Sequence, residues 1–157
     1  MITHPVIRPA RPGDARVLAE LRWAFKLEDH EGEPPRPHQP VEQAEDWLRD
    51  RLGDGRWLAW VAESGGQVCG HVFLHLVERM PDPYSDSTPL GYVTNFYVTP
   101  PHRNRGIGTG LLDAVKRHAR STRLDTLIVW PSERSNLLYR RSGFLPPEEL
   151  LELPLET

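Results

Sequence analysis

Residues 100–112 read PPHRNRGIGTGLL, from Pro100 to Leu112, and the fold turns on how they are understood. Gly106, Gly108 and Gly110 alternate with other residues, and Arg103 and Arg105 precede them. Downstream, Ile107, Leu111, Leu112, Val115 and Ala119 recur at the spacing of one buried helix face. Upstream, LGYVTNFYVT is rich in β-branched and aromatic residues, as strands are. The order strand, glycine turn, helix is that of a phosphate cradle. Without a Cβ at Gly106 or Gly108, backbone N–H groups can approach an anion closely, and the helix start adds the positive end of its dipole.

Three phosphate-binding patterns compete for this turn. The P-loop requires a lysine directly after its last glycine, and none follows here. The dinucleotide fingerprint requires G-x-G-x-x-G, whereas Gly106, Gly108 and Gly110 have the wrong second gap. Asp125 precedes the strand TLIVW, where a ribose-binding acid should follow one. The third pattern, [Q/R]-x-x-G-x-[G/A], is met by Arg103-Asn104-Arg105-Gly106-Ile107-Gly108.

Working outward, HPVIRPA predicts a first strand and GDARVLAELRWAF a helix, with Asp14 as N-cap and Val17, Leu18, Leu21, Ala24 and Phe25 on one face. The segment EDHEGEPPRPHQP is a charged, proline-rich loop. A second helix is expected from Val41, with Ala44, Trp47, Leu48 and Leu52 inward. RWLAWVAES, the Gly65-Gly66 turn and QVCGHVFLHLVERM predict a β-hairpin. MPDPYSDSTP connects to the strand before the glycine turn. After the glycine helix come the strand LDTLIVW, a short helix in SERSNLLYRRSG ending at Gly143, and one or two final strands in FLPPEELLELPL. Tight turns make the middle strands antiparallel, and crossovers make the later ones parallel. The expected fold class is α+β: a mixed sheet of six to seven strands with helices on both faces, in a single domain over residues 1–157.

The chain is similar to the GNAT superfamily of acyl-CoA-dependent N-acetyltransferases. NFYVTPPHRNRGIGTGLLDAV resembles that family's pyrophosphate-binding segment, and LLYRRSGF resembles its closing Y-x-x-x-G-F segment. Both motifs stand in the family's order and spacing, and the element order agrees over nearly the whole chain. The resemblance implies that the strand before the turn diverges from its parallel neighbour, leaving a gap for the pantetheine arm of acetyl-CoA. The implied cofactor contacts are Phe96, Tyr97 and Val98 on the strand, Arg103, Asn104, Arg105, Gly106, Ile107, Gly108 and Thr109 in the turn, and Asn136. A backbone N–H of Phe96 or Tyr97 would polarise the thioester carbonyl. Tyr139 matches the family's general acid, placed to protonate the departing thiolate. Many relatives carry Asn seven residues before that tyrosine and Ala four before it; here Ser132 and Ser135 stand there, so Ser132 and Asn136 compete for one contact.

The implied reaction is acetyl transfer to a primary amine of a small molecule or peptide, by direct attack in a ternary complex. The alternative is a non-catalytic acyl-CoA-binding sensor, because no general base stands out. Thr94 and Asn95 occupy the stretch where some relatives carry a glutamate. Candidate bases are Glu28, Asp29, His30, Glu31 and Glu78, or a water chain starting at Asn95. Trp23, Phe25, the early loop and RMPDPYSDSTP are expected around the acceptor, with the loop's acids suited to a cationic amine.

Composition bounds the rest. At 157 residues, with 38% hydrophobic and 26% charged residues, the chain suits one soluble domain. No apolar run reaches a membrane span and the N-terminus lacks a signal-peptide core, so the expected setting is cytoplasmic. A net charge of −3 and the lack of a basic stripe argue against nucleic acid as a partner. The seven histidines show no metal-ligand spacing, and Cys69 alone builds no disulfide. A homodimer through the late strands is the assembly the resemblance implies.

Overall fold

The structure, a computed structural model, describes residues 4–31, 33–36 and 40–155. Its strands are β1 (Val6–Pro9), β2 (Trp57–Ser64), β3 (Gln67–Val77), β4 (Leu90–Val98) and β5 (Leu127–Val129). Its helices are α1 (Ala15–Asp29), α2 (Val41–Arg51), α3 (Ile107–Ser121) and α4 (Asn136–Arg141). The five strands lie in sequence order across one sheet. β1 through β4 pair antiparallel, and β4 pairs with β5 in parallel. The Gly65-Gly66 turn, with both residues at positive φ, closes the hairpin between β2 and β3.

Alternation along β2 assigns the two faces. Ala59 and Val61 pack with Leu18 and Leu48 of α1 and α2. Their neighbours Trp60 and Ala62 pack with Leu111, Leu112 and Val115 of α3. Each β-residue step thus switches the core it serves, and helices cover both faces. The α3 stripe is the one expected, joined by Ala114.

Three expectations change. Among the described residues there are five strands, because the segment after Phe144 forms none. Leu145, Leu151, Leu153 and Leu155 are each at least 80% exposed. Alternating leucines suit a half-buried strand, but a strand needs a neighbour to satisfy its backbone, and Pro146, Pro147 and Pro154 remove three donors. Asp14 makes no N-cap hydrogen bond. It ends a single 3₁₀ turn (Pro12–Asp14), where its carboxylate takes two bonds from Arg8 at 2.9 and 2.8 Å and one from the Arg11 N–H. Trp47, expected in the core, is 38% exposed and lines a cavity instead.

Candidate active site

The β4–β5 ladder runs only from Gly91 paired with Leu127 to Val93 paired with Val129. β4 continues to Val98 without that neighbour, so the two strands part. On its other side, Thr94 pairs with Phe73 and Tyr97 with His71. Two β4 residues, Asn95 and Phe96, therefore oppose the single residue Val72. This is a β-bulge, and Asn95 takes the left-handed conformation at φ 52°. The bulge reverses the alternation. Asn95 turns to the α1 and α2 face, while Phe96 and Val98 join the α3 core.

Each face carries a cavity at this point. On the α3 and α4 side, a cleft of about 260 Å³ is lined by Phe96, Tyr97, Val98, Arg103, Asn104, Gly106, Ile107, Gly108 and Thr109. Nine of the expected cofactor contacts thus share one wall. Arg105 is exposed, and neither it nor Asn136 is in the lining. Ser132 is in the lining, as are Ser135, Arg134 and Arg141, which the sequence reading did not select. Arg141 lies two residues past Tyr139 in the YRRSGF segment, which was the available signal. The Asn136 N–H donates to the Ser132 carbonyl at 3.0 Å, the start of α4.

The turn has the form an anion needs. Asn104 (φ 62°) and Gly106 (φ 80°) both adopt left-handed backbone on either side of Arg105. Such alternation aims successive N–H groups into one concavity. Space beside Gly106 is open, with no heavy atom within 4 Å of a Cβ built there. The Gly110 N–H bonds the Gly106 carbonyl at 3.0 Å as the first helical bond. The amides of Ile107, Gly108 and Thr109 precede that bond and have no helical carbonyl to bond. Gly108 serves packing: a Cβ there would sit 2.9 Å from Phe96 Cζ and 3.0 Å from Leu138 Cδ2. The turn, the parted strands and the cleft together fit the pyrophosphate and pantetheine of acetyl-CoA.

Arg103 is committed to structure. Its Nε donates to the Val98 carbonyl at 2.9 Å, and its Nη2 bonds the Glu28 carboxylate at 2.7 Å. Glu28 also pairs with Arg134, so α1 is tied to the turn and to the segment before α4. Partial burial pushes the Glu28 carboxyl upward, but the bonds from Arg103 and Arg134 outweigh it and hold the group below its usual range. A carboxylate so held makes a poor base.

Tyr139 is 3% exposed, with its ring centroid 5.7 Å from Phe96 and 5.3 Å from Phe144. It packs beside the bulge but is not in the cleft lining. Burial, with a smaller contribution from Tyr92, raises its pKa, so the phenol stays protonated at neutral pH and is a hydrogen-bond donor. On the opposite side of the bulge, His71 is fully buried. Its Nδ1 donates to the Asn95 carbonyl at 2.6 Å, which leaves Nε2 without a partner among the described residues. Burial drives its pKa down to about 4, against a smaller upward pull from that bond, so the ring is neutral and pins the bulge.

The second cavity, about 770 Å³, opens on the α1 and α2 face. Trp23, Trp47, Trp57 and Phe73 supply its apolar walls, and Arg22, Lys26 and Asn95 its inner polar groups. Arg22 donates to Asn95 Oδ1. The sequence reading named Trp23 here and missed Arg22 and Lys26, although Ala19, Arg22, Trp23, Lys26 and His30 repeat at helical spacing. Phe25 faces the other way, edge-on to Tyr97 at 5.2 Å. The 79–89 connection lines neither cavity. Of the candidate bases, His30 borders this cavity, Asp29 the cofactor cleft, and Glu28, Asp29, His30 and Glu31 a shallow depression with Arg134. Glu78 borders none of the three.

A family model described as the Acetyltransferase (GNAT) family matches residues 18–144, from α1 to the end of the YRRSGF segment. The chain belongs to the GNAT family of acyl-CoA-dependent acetyltransferases. This GNAT chain is 29% identical over 157 residues to the aminoglycoside N(6')-acetyltransferase type 1 of Stenotrophomonas maltophilia, covering 97% of the chain and 95% of that protein. It is 26% identical over 96 residues to N-alpha-acetyltransferase 60 of Xenopus tropicalis; that match takes in 55% of the chain but spans only 40% of that longer relative. Its fold is similar to a crystal structure described as a predicted acetyltransferase with acetyl-CoA from Clostridium acetobutylicum. The TM-score is 0.79 at 24% identity, covering 96% of both chains. Among the described residues of this GNAT chain, no helix is long and apolar enough to cross a membrane. The same residues hold no cluster of three or more metal-ligating side chains.

Proposed function

We propose that the chain transfers an acetyl group from acetyl-CoA to a primary amine of a small molecule or peptide, by direct attack within a ternary complex. The observation that carries this reading is the meeting of two cavities at one bulge. Asn95 borders the cavity on the α1 and α2 face, and the next residue, Phe96, borders the cofactor cleft. A donor and an acceptor can therefore reach the same backbone from opposite sides.

Acetyl-CoA supplies the activated carbonyl. Backbone groups of Phe96, Tyr97 and Val98 align its pantetheine amides, and a bulge N–H polarises the carbonyl oxygen. The backbone N–H groups of the 106–109 turn hold the pyrophosphate, with Arg134 and Arg141 as nearby charge. The acceptor nitrogen forms the new C–N bond as the C–S bond breaks, Tyr139 delivers a proton to the sulfur, and the proton that the nitrogen loses restores the phenol. Cys69 takes no part: it is buried in β3, and burial raises its thiol pKa away from the nucleophilic thiolate. A cytoplasmic setting and a homodimer complete the proposal; the uncovered leucines after Phe144 support the second.

A thiol-release assay with acetyl-CoA and a panel of amines tests the reading. Turnover on at least one amine is expected. The sensor alternative is favoured by the presence of Asn95 and Arg22, not a carboxylate, at the acceptor side of the bulge. CoA binding with no turnover on any amine would establish that alternative instead.

A further inference from the structure

The acceptor cavity has a charge opposite to the one a polycationic substrate requires. Arg22 and Lys26 stand on successive turns of α1, and Arg36 lies at the wall; among the described residues, Glu33 is the single carboxylate in the lining. Among the described residues, neither Arg22 nor Lys26 forms an ion pair with a carboxylate. Arg22 is partly buried, and its one side-chain bond goes to Asn95 Oδ1. A guanidinium has five N–H donors, so several remain to be satisfied in a desolvated place. The acids expected to attract a cationic amine gather elsewhere. Glu28, Asp29 and Glu31 border the adjoining depression with Arg134, which meets the cavity at His30 and Glu33, and Glu28 is spent on two arginines.

The apolar walls are aromatic. Trp47 and Trp57 meet edge to face at 5.0 Å, and Trp57 stacks on His75 at 4.2 Å, which fixes its plane. Such rings accept another aromatic or a bulky apolar group. A polycationic sugar would set ammonium groups against Arg22, Lys26 and Arg36.

We propose that the acceptor is an amine bearing a carboxylate close to the reacting nitrogen and an aromatic or bulky apolar group, the carboxylate held by Arg22 and Lys26 and the apolar group by the tryptophan walls. An aromatic α-amino acid is a small compound with all three features. This inference rests on the acetyl-transfer reading for the chemistry that follows binding. Arg22 touches Asn95, one residue from the wall of the cofactor cleft, so an amine on the carbon that carries the carboxylate lies at the bulge. The two cations also favour the neutral form of that amine, which is the form that attacks. In the transfer, the nitrogen loses one proton, the amide C–N bond forms, the C–S bond breaks and CoA leaves as the thiol.

Calorimetric titration of the protein with CoA present tests the binding directly. The probes are N-acetyl-phenylalanine and N-acetyl-tryptophan, against their decarboxylated counterparts N-acetyl-phenethylamine and N-acetyl-tryptamine. The carboxylated members are expected to bind about tenfold or more tightly, as charge-assisted bonds do. In Arg22→Gln and in the surface variant Lys26→Gln, that preference should shrink several-fold while CoA binding is retained. Equal binding of the two sets, or tighter binding of kanamycin, overturns the inference. Turnover assays separate it from the broader reading. Acetylation of neutral or polycationic amines without preference for carboxylated ones sinks this inference alone. Carboxylate-dependent binding with no turnover on any amine sinks acetyl transfer alone.

Discussion

Asn95 joins the two halves of the site through three separate bonds of its own. Its carbonyl takes the His71 Nδ1–H, its Oδ1 takes Arg22, and its Nδ2 donates to Thr94 Oγ1 at 3.2 Å. Asparagine tolerates the left-handed backbone that this position requires, whereas a β-branched residue does not. Asn95→Val is therefore expected to cost about 1–2 kcal/mol in urea denaturation. Asn95→Gly keeps the backbone and loses the Arg22 anchor together with the bond to Thr94 Oγ1, so its steady-state kinetics should show a raised acceptor KM with acetyl-CoA KM little changed. Tyr139 provides the second test at this scale. Its hydroxyl carries the proposed role while its ring carries the packing against Phe96 and Phe144. Tyr139→Phe should lower kcat by about 100-fold, within the range for a general acid, at nearly unchanged melting temperature. Unchanged turnover would remove the general-acid assignment.

At the scale of elements, α3 does two jobs with its two ends. Its first turn offers free amides to the cofactor cleft, and its body buries Leu111 and Leu112 against the sheet at no more than 1% exposure. Leu111→Ala should cost about 2–5 kcal/mol by chemical denaturation, as in other well-packed cores. Gly108 couples the two jobs, because any side chain there presses on Phe96 of β4 and Leu138 of α4, both in the cleft lining. In Gly108→Val those side chains must move into the cleft. We expect acetyl-CoA KM to rise at least about tenfold, with a stability loss of about 1–3 kcal/mol. Wild-type KM in that variant would show that the cleft lies elsewhere.

For the molecule as a whole, His71 predicts how stability changes with acid. Its folded pKa is depressed to about 4 from 6.5, by burial first. Above pH 6.5 the ring is neutral in both states. Between 6.5 and 4 the unfolded chain takes a proton that the folded chain refuses, so stability falls as pH falls, by about 3 kcal/mol in all. Below 4 the difference stops growing. Urea denaturation across this window should show a shallower loss for His71→Gln than for the wild type, and equal slopes would refute the assignment.

The legible parts of the chain were those whose signal lies between near neighbours along it. Periodicity alone identified α3 with Ile107, Leu111, Leu112, Val115 and Ala119, and the hairpin through Gly65 and Gly66. Glycine spacing and YRRSGF carried the family resemblance, and nine of the turn and strand residues it names line one cleft. Tertiary structure decided what depends on a partner remote in sequence. The leucines after Phe144 alternate like a strand, yet no described strand lies beside them. Asp14 resembles a helix cap until Arg8 captures its carboxylate. Thr94 and Asn95 show no bulge as letters; it exists because Phe73 and His71 across the ladder leave only Val72 between them. Only that bulge turns Asn95 toward Arg22 and into the wall of a cationic, tryptophan-lined cavity. Local pattern fixes which face of an element is apolar, because near residues share one backbone geometry. Which charge meets which across the fold is set by packing between elements that sequence order does not join.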